Sequence, residues 1–150
     1  MQYQKMMERI LHKIPAVQSA PVTQLLDFAK TMIGTPYRYA SSNPAKGFDC
    51  SGFVNYVFSK FGFQVPRSSS AFAHAGVPVK LTAAKVGDVL IFTGSNPKIR
   101  RVGHVGIIYA IDNGEIKFIH STSGKAHGVT ITDFNDYYKS RFLKAVSILE

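Results

Sequence analysis

Cys50 is the only cysteine in a chain of 150 residues. It lies in the run Phe48-Asp49-Cys50-Ser51-Gly52-Phe53-Val54, where a loop rich in Ser, Asn, Pro and Gly gives way to apolar residues at helical spacing. The first turn of a helix offers unpaired backbone N–H groups and the positive end of the macrodipole. Both favour thiolate over thiol, so this position predicts a lowered pKa and an armed nucleophile. Taken alone, a single cysteine is more simply read as a small buried apolar residue. Two histidines tip the balance. His104 opens one apolar run and His120 closes the next. A thiol nucleophile needs a base within hydrogen-bond reach, and the base needs a third group to hold its tautomer. His104 is the candidate base and His120 the candidate orienting group. His12, His74 and His127 lack such settings and are read as surface or loop residues.

The two histidines meet only if their strands pair in the right register. Asp112-Asn113-Gly114 joins the runs, and a three-residue loop with Gly last is a common hairpin solution. In that register residue 111 faces 115 and His120 lies opposite Gly106. His104 then lies diagonally across from His120, on one face with Ile108, Ala110, Ile116 and Phe118. Val105, Ile107, Tyr109, Ile111, Glu115 and Lys117 take the other face. A two-residue loop at Asn113-Gly114 would shift the pairing by one and send the histidines to opposite faces.

The elements that must carry these residues follow from the hydrophobic pattern. A helix is predicted over about 22–33, with Thr23 as cap, Leu25, Leu26, Ala29, Met32 and Ile33 as its stripe, and Gly34 as its stop. Residues 35–48 read as a loop. The helix starting at Cys50 runs to about Phe61 and ends at Gly62. A short helix is predicted at about 69–75. Val86–Phe92, Val102–Ile111, Glu115–Ser121, Gly128–Thr132 and Phe142–Leu149 read as strands, with a brief helix at about 134–139. Helices first and an antiparallel sheet second give an α+β fold, with the helices packed on a sheet of about five to six strands.

Length suits one domain: residues 1–20 read as an arm or linker, with a short helix at 3–12, and 21–150 as the folded unit. The arm carries Lys5, Arg9 and Lys13 without a continuous apolar stretch, so it does not read as a complete signal peptide. No segment approaches the roughly 20 apolar residues of a membrane span. One cysteine excludes an internal disulfide and a CxxC metal knuckle. Cys50, His104 and His120 make a poor zinc set, since zinc takes three or four ligands, and no metal or cofactor is expected. The net charge of +9 would attract polyanions. The cations are scattered apart from Lys98, Arg100 and Arg101, and no interleaved aromatic motif points to nucleic acid.

Several short motifs stand in order: Gly34-Thr35-Pro36-Tyr37-Arg38-Tyr39, Phe48 to Val54, Pro66-Arg67-Ser68-Ser69, Val86-Gly87-Asp88-Val89-Leu90-Ile91-Phe92, Gly103-His104-Val105-Gly106-Ile107 and Phe118-Ile119-His120-Ser121. Over about residues 22–149 this ordered set resembles the NlpC/P60 cell-wall cysteine peptidases, a papain-like family. The resemblance implies Cys50 as nucleophile, His104 as general base and His120 as the third, orienting member. It implies that Tyr37 helps stabilise the oxyanion and that Asp49 and Ser51 hold a substrate amine. Asp49 reads equally as a helix cap. Arg67 and Asp88 are read as structural. The family usually has two glycines where this chain has Ala40-Ser41, and the segment 42–46 also departs from a short glycine loop.

The resemblance implies a peptidoglycan hydrolase that cleaves the stem peptide after D-γ-glutamate and before a diamino acid, without a cofactor, outside the cell, in the periplasm or at the envelope. Related papain-like folds also transfer acyl groups to lipids or small amides, and a third reading is a non-catalytic wall-binding module. A lipid substrate would favour an apolar groove; a peptide would favour a polar cleft.

Overall fold

Residues 20–149 are described by the computed structural model; the predicted arm up to residue 19, its helix at 3–12 and His12 lie outside them, and residue 20 opens the first helix. In chain order the elements are α1 (Ala20–Lys30), β1 (Ser42–Asn43), β2 (Gly47–Phe48), α2 (Cys50–Lys60), a 3₁₀ turn (Ser70–His74) and β3 (Val77–Val79). There follow a second 3₁₀ turn (Leu81–Ala83), β4 (Val89–Thr93), β5 (Val102–Asp112), β6 (Glu115–Thr122), β7 (Gly128–Asp133), α3 (Asp136–Arg141) and β8 (Phe142–Ser147). The six-stranded sheet has the order β3-β8-β4-β5-β6-β7, and its neighbours are antiparallel. The α+β expectation therefore holds.

Helix α2 forms where the sequence places it. Asp49 is its N-cap, with Oδ1 accepting the Gly52 N–H at 2.6 Å. Phe53, Val54, Val57 and Phe58 are fully buried. Each such side chain contributes about 1.5–3 kcal/mol by leaving water. They pack with Leu25, Ala29, Val105, Ile107 and Ile119 into a core between the helices and one sheet face. A smaller core of Leu90, Phe92, Ile108, Phe118, Phe134 and Ala145 covers the opposite face.

Local expectations fare unevenly. Helix α1 begins at Ala20, so Thr23 lies inside it and is not its cap. Ile33 of its predicted stripe is exposed. The short helix near 69–75 is the 3₁₀ turn. Strand β3 escaped the reading because Pro78 sits in it; the strand is at the sheet edge, where a missing donor is tolerated. The predicted loop at 35–48 contains the small β1–β2 pair.

The hairpin corrects the register argument in two steps. Asp112 pairs with Glu115, so the loop is the two residues Asn113-Gly114, not three. Their φ values of 53° and 80° are the positive pair that a type I′ turn requires. That loop alone would separate the histidines. A β-bulge between Ile108 and Ala110 cancels the shift, so Ile108 pairs with Phe118 and Ile107 with Ile119, as predicted. Beyond the bulge the predicted faces are exchanged: Ile111 lies opposite Ile116, and Ala110 opposite Lys117.

Candidate active site

The loop before Cys50 is pinned from both ends. Ser41 O accepts the Asp49 N–H at 2.9 Å, and Phe48 N–H donates to Pro36 O at 3.0 Å. Gly52 is required here, because a Cβ on it would lie 2.2 Å from Ser41 O. Asp49 also forms a two-pronged pair with Arg67: Nη1 donates to Oδ1 at 3.1 Å and Nη2 to Oδ2 at 3.0 Å. Arg67 Nη1 donates to Ser51 Oγ as well, at 3.1 Å. The structural reading of Arg67 thus gains content: it ties together the residues on either side of the nucleophile. Asp88 is fully buried and closes a turn by accepting from Lys85 N–H and Nζ, as the structural reading expected.

Cys50 is 8% exposed, and its Sγ lies 3.9 Å from Gly103 O at the start of β5. Cys50, His104 and Tyr37 line one cavity of about 830 Å³. The sulfur is therefore neither sealed in the core nor turned from the imidazole side. Its expected low pKa is corrected. Burial pushes the thiol up, and the Asp49 carboxylate adds to this. The Val105 backbone N–H on β5 pulls it down, and so, as the helix-start argument holds, do those of Ser51 and Cys50, but they are outweighed. Burial likewise raises Tyr37, with help from Cys50 and Asp49.

The two histidines are brought together. His104 Nε2 and His120 Nδ1 are 2.7 Å apart, and His120 Nε2 lies 2.8 Å from Thr132 Oγ1. Gly106 makes room: a Cβ there would lie 2.8 Å from Phe118 Cδ2 and 3.1 Å from His120 Cβ. Both imidazoles are held neutral. Burial drives His104 well below the usual histidine value, with His120 and Arg141 adding to it. Burial and then Arg141 push His120 down to about 3. A neutral His120 that accepts at Nδ1 must carry its proton on Nε2, where Thr132 Oγ1 can accept it. In that tautomer His104 carries its proton on Nε2 and leaves Nδ1 as a free base. His74 and His127 are exposed and lie off this relay, although the His127 carbonyl accepts the Tyr37 N–H at 3.0 Å.

The cavity wall mixes polar side chains, Ser123, Thr130 and Lys125 among them, with the aromatic rings of Tyr137 and Tyr138. It also includes Arg141 and Thr132, which sequence reasoning missed. Thr132 could have been found from the β6–β7 register, but the Gly124–Gly128 turn hid it. Arg141 gave no signal, since a charge before an apolar strand reads as exposed. Among the described residues, no three His, Cys, Asp or Glu side chains group as a metal site. No described helix is long and apolar enough to cross a membrane.

The departure at Ala40-Ser41 has a physical reading. Ala40 has φ of 55°, the left-handed conformation that glycine adopts freely. Ser41 Oγ donates to Gly47 O at 2.7 Å, a bond no glycine could make.

Residues 34–147 match the model of the NlpC/P60 family. The gamma-DL-glutamyl hydrolase of Bacillus subtilis is 39% identical over 129 residues, covering 85% of this chain and 29% of the relative. The chain spans about half or less of the curated relatives it first matches, at 53%, 29% and 23% of their lengths. A solved NlpC/P60 family protein from Bacillus cereus superposes with a TM-score of 0.74 at 30% identity, over 86% of this chain and 40% of that one. The peptidoglycan hydrolase RipB of Mycobacterium tuberculosis does so with a TM-score of 0.66 at 26% identity, over 87% and 68%.

Proposed function

The chain belongs to the NlpC/P60 family, and on that premise we propose that it is a cysteine endopeptidase acting on peptidoglycan stem peptides at or outside the cell envelope. The observation that carries the reading is the His104–His120 contact of 2.7 Å on the cavity that Cys50 lines. With Nε2 of His104 committed to His120, Nδ1 is the nitrogen left for the thiol. Burial favours the uncharged thiol and imidazole at rest. The proton moves from Sγ to Nδ1 as the sulfur attacks. Backbone N–H groups at the start of α2, with the Tyr37 hydroxyl, stabilise the oxyanion. His104 as imidazolium protonates the leaving amine, and water then attacks the thioester, regenerating the thiol.

The bond proposed is the amide between D-γ-glutamate and a diamino acid. The glutamyl hydrolase relative supports it. Asp49 Oδ1 accepts from Gly52 N–H, Arg67 Nη1 and Ser51 Oγ, whereas Oδ2 accepts only Arg67 Nη2 and keeps a lone pair for one further donor. A substrate ammonium beside Asp49 and Ser51 would fill it. Mass spectrometry of a defined muropeptide panel tests the whole reading. Products should disappear with Cys50→Ala at unchanged circular dichroism; persistent cleavage by that variant rejects it.

A further inference from the structure

Arg141 is the last residue of α3, is 8% exposed, and lines the cavity that holds Cys50 and His104. A buried guanidinium needs a counter-charge or a full set of acceptors. It has neither. Nη2 donates to Thr93 O at 2.9 Å and Nη1 to Tyr137 Oη at 3.3 Å. The rings of Tyr137 and Tyr138 lie 5.2 and 5.1 Å from the guanidinium carbon. Nε is shielded from solvent and has no hydrogen-bond partner. No carboxylate among the described residues pairs with Arg141. The other charges in or near the core differ: Asp49 has Arg67 and Asp88 has Lys85. The same cavity wall adds a second cation, Lys125, and contains no Asp or Glu.

We propose that Arg141 completes an anion subsite, and that a substrate carboxylate close to the scissile amide is the counter-ion it lacks. The guanidinium fork matches a carboxylate in shape and charge. For the identity of the substrate this inference rests on the peptidase reading above. A γ-linked glutamate keeps its α-carboxylate free on one side of the cleaved bond, and a diamino acid brings its own on the other. Either source would satisfy Arg141.

A thiol-alkylation experiment on the full chain decides the matter without any peptidase activity. Iodoacetate and iodoacetamide attack the same Cys50 sulfur and differ in one carboxylate, so their rate ratio cancels changes in thiolate fraction. The ratio should fall about tenfold in Arg141→Gln and less in Arg141→Lys, which keeps the charge. Glutarate should slow iodoacetamide alkylation of the unsubstituted chain in a saturable way. If Arg141→Gln fails to fold, Arg141→Lys and the glutarate competition carry the test. A ratio indifferent to residue 141 together with no protection by glutarate overturns the subsite. Peptides amidated at the glutamyl α-carboxyl or at the diamino acid then assign the source, by which amidation raises KM in the unsubstituted chain but not in Arg141→Gln. Should no peptide be cleaved, the peptidase reading falls while the alkylation ratio still decides the anion site.

Discussion

Around Asp49 opposite charges meet at about 3 Å, with the carboxylate gripped by both Arg67 nitrogens and by the first turn of α2. Around His104 and His120 the charge that acts on both rings is Arg141, a cation without a carboxylate. The nucleophile side is fixed by satisfied electrostatics. The imidazole side is tuned first by burial and then by a cation that lacks a partner. The lesson is that position and basicity are set by different means on the two walls of one cleft. Geometry is secured where charges cancel, and protonation state is biased where rings are buried beside a charge that does not.

The sharpest way to break this contrast is at the base itself. His104→Ala should lower kcat/KM by about 10³-fold in peptide hydrolysis at unchanged circular dichroism, since it removes the proton acceptor, and the buried His120 Nδ1 left without its partner should cost about 1–3 kcal/mol of stability. A smaller effect is expected one step away. His120→Asn, read in the same assay, should lose about tenfold and His120→Ala about 10²-fold, because an amide oxygen can still accept from Nε2 of His104. Equal losses would mean that His120 fills space and does not orient.

Stability should separate the walls next. Both imidazoles titrate lower in the folded than in the unfolded chain, so the unfolded chain takes up their protons first as pH falls. Stability from this source is intact above about pH 6.5 and is lost below it, at about 1.4 kcal/mol per pH unit for each histidine. For His120 the loss continues to about pH 3. Urea midpoints from pH 7 to pH 4 should fall less steeply for His120→Asn. On the other wall Asp49→Ala should cost about 1–2 kcal/mol at neutral pH by removing the cap. The ion pair adds less than about 1 kcal/mol to this, with the Arg67 side chain 42% exposed. The smallest effect is Ala40→Gly, which relieves a left-handed alanine and should raise stability by about 0.5–1 kcal/mol in the same titration.

The nucleophile wall was the legible one. A cap, an apolar stripe and a glycine stop are local, so the start of α2 at Cys50 could be read from adjacent residues. The histidine wall depends on register, which is non-local. Its outcome was anticipated correctly through a loop of the wrong length, because the bulge near Tyr109 offset the missing loop residue. Arg141 could not be anticipated at all: its burial follows from α3 folding over the cleft, and nothing in Ser140-Arg141-Phe142 marks it. The low thiol pKa expected for Cys50 failed for a related reason. The helix-start amides are local, whereas the burial that overrides them is a property of the assembled cleft.

The bulge has one further consequence. An extra residue absorbed mid-ladder works as an expansion joint: the pairs on the hairpin-tip side of it are offset by one, while those from Ile108 toward Gly106 keep the register that joins the histidines. The hairpin tip lies nine residues from His104 along β5, about 30 Å of extended chain. It is therefore the place to graft a tag, a fluorophore or a tether to a surface while leaving the cleft undisturbed.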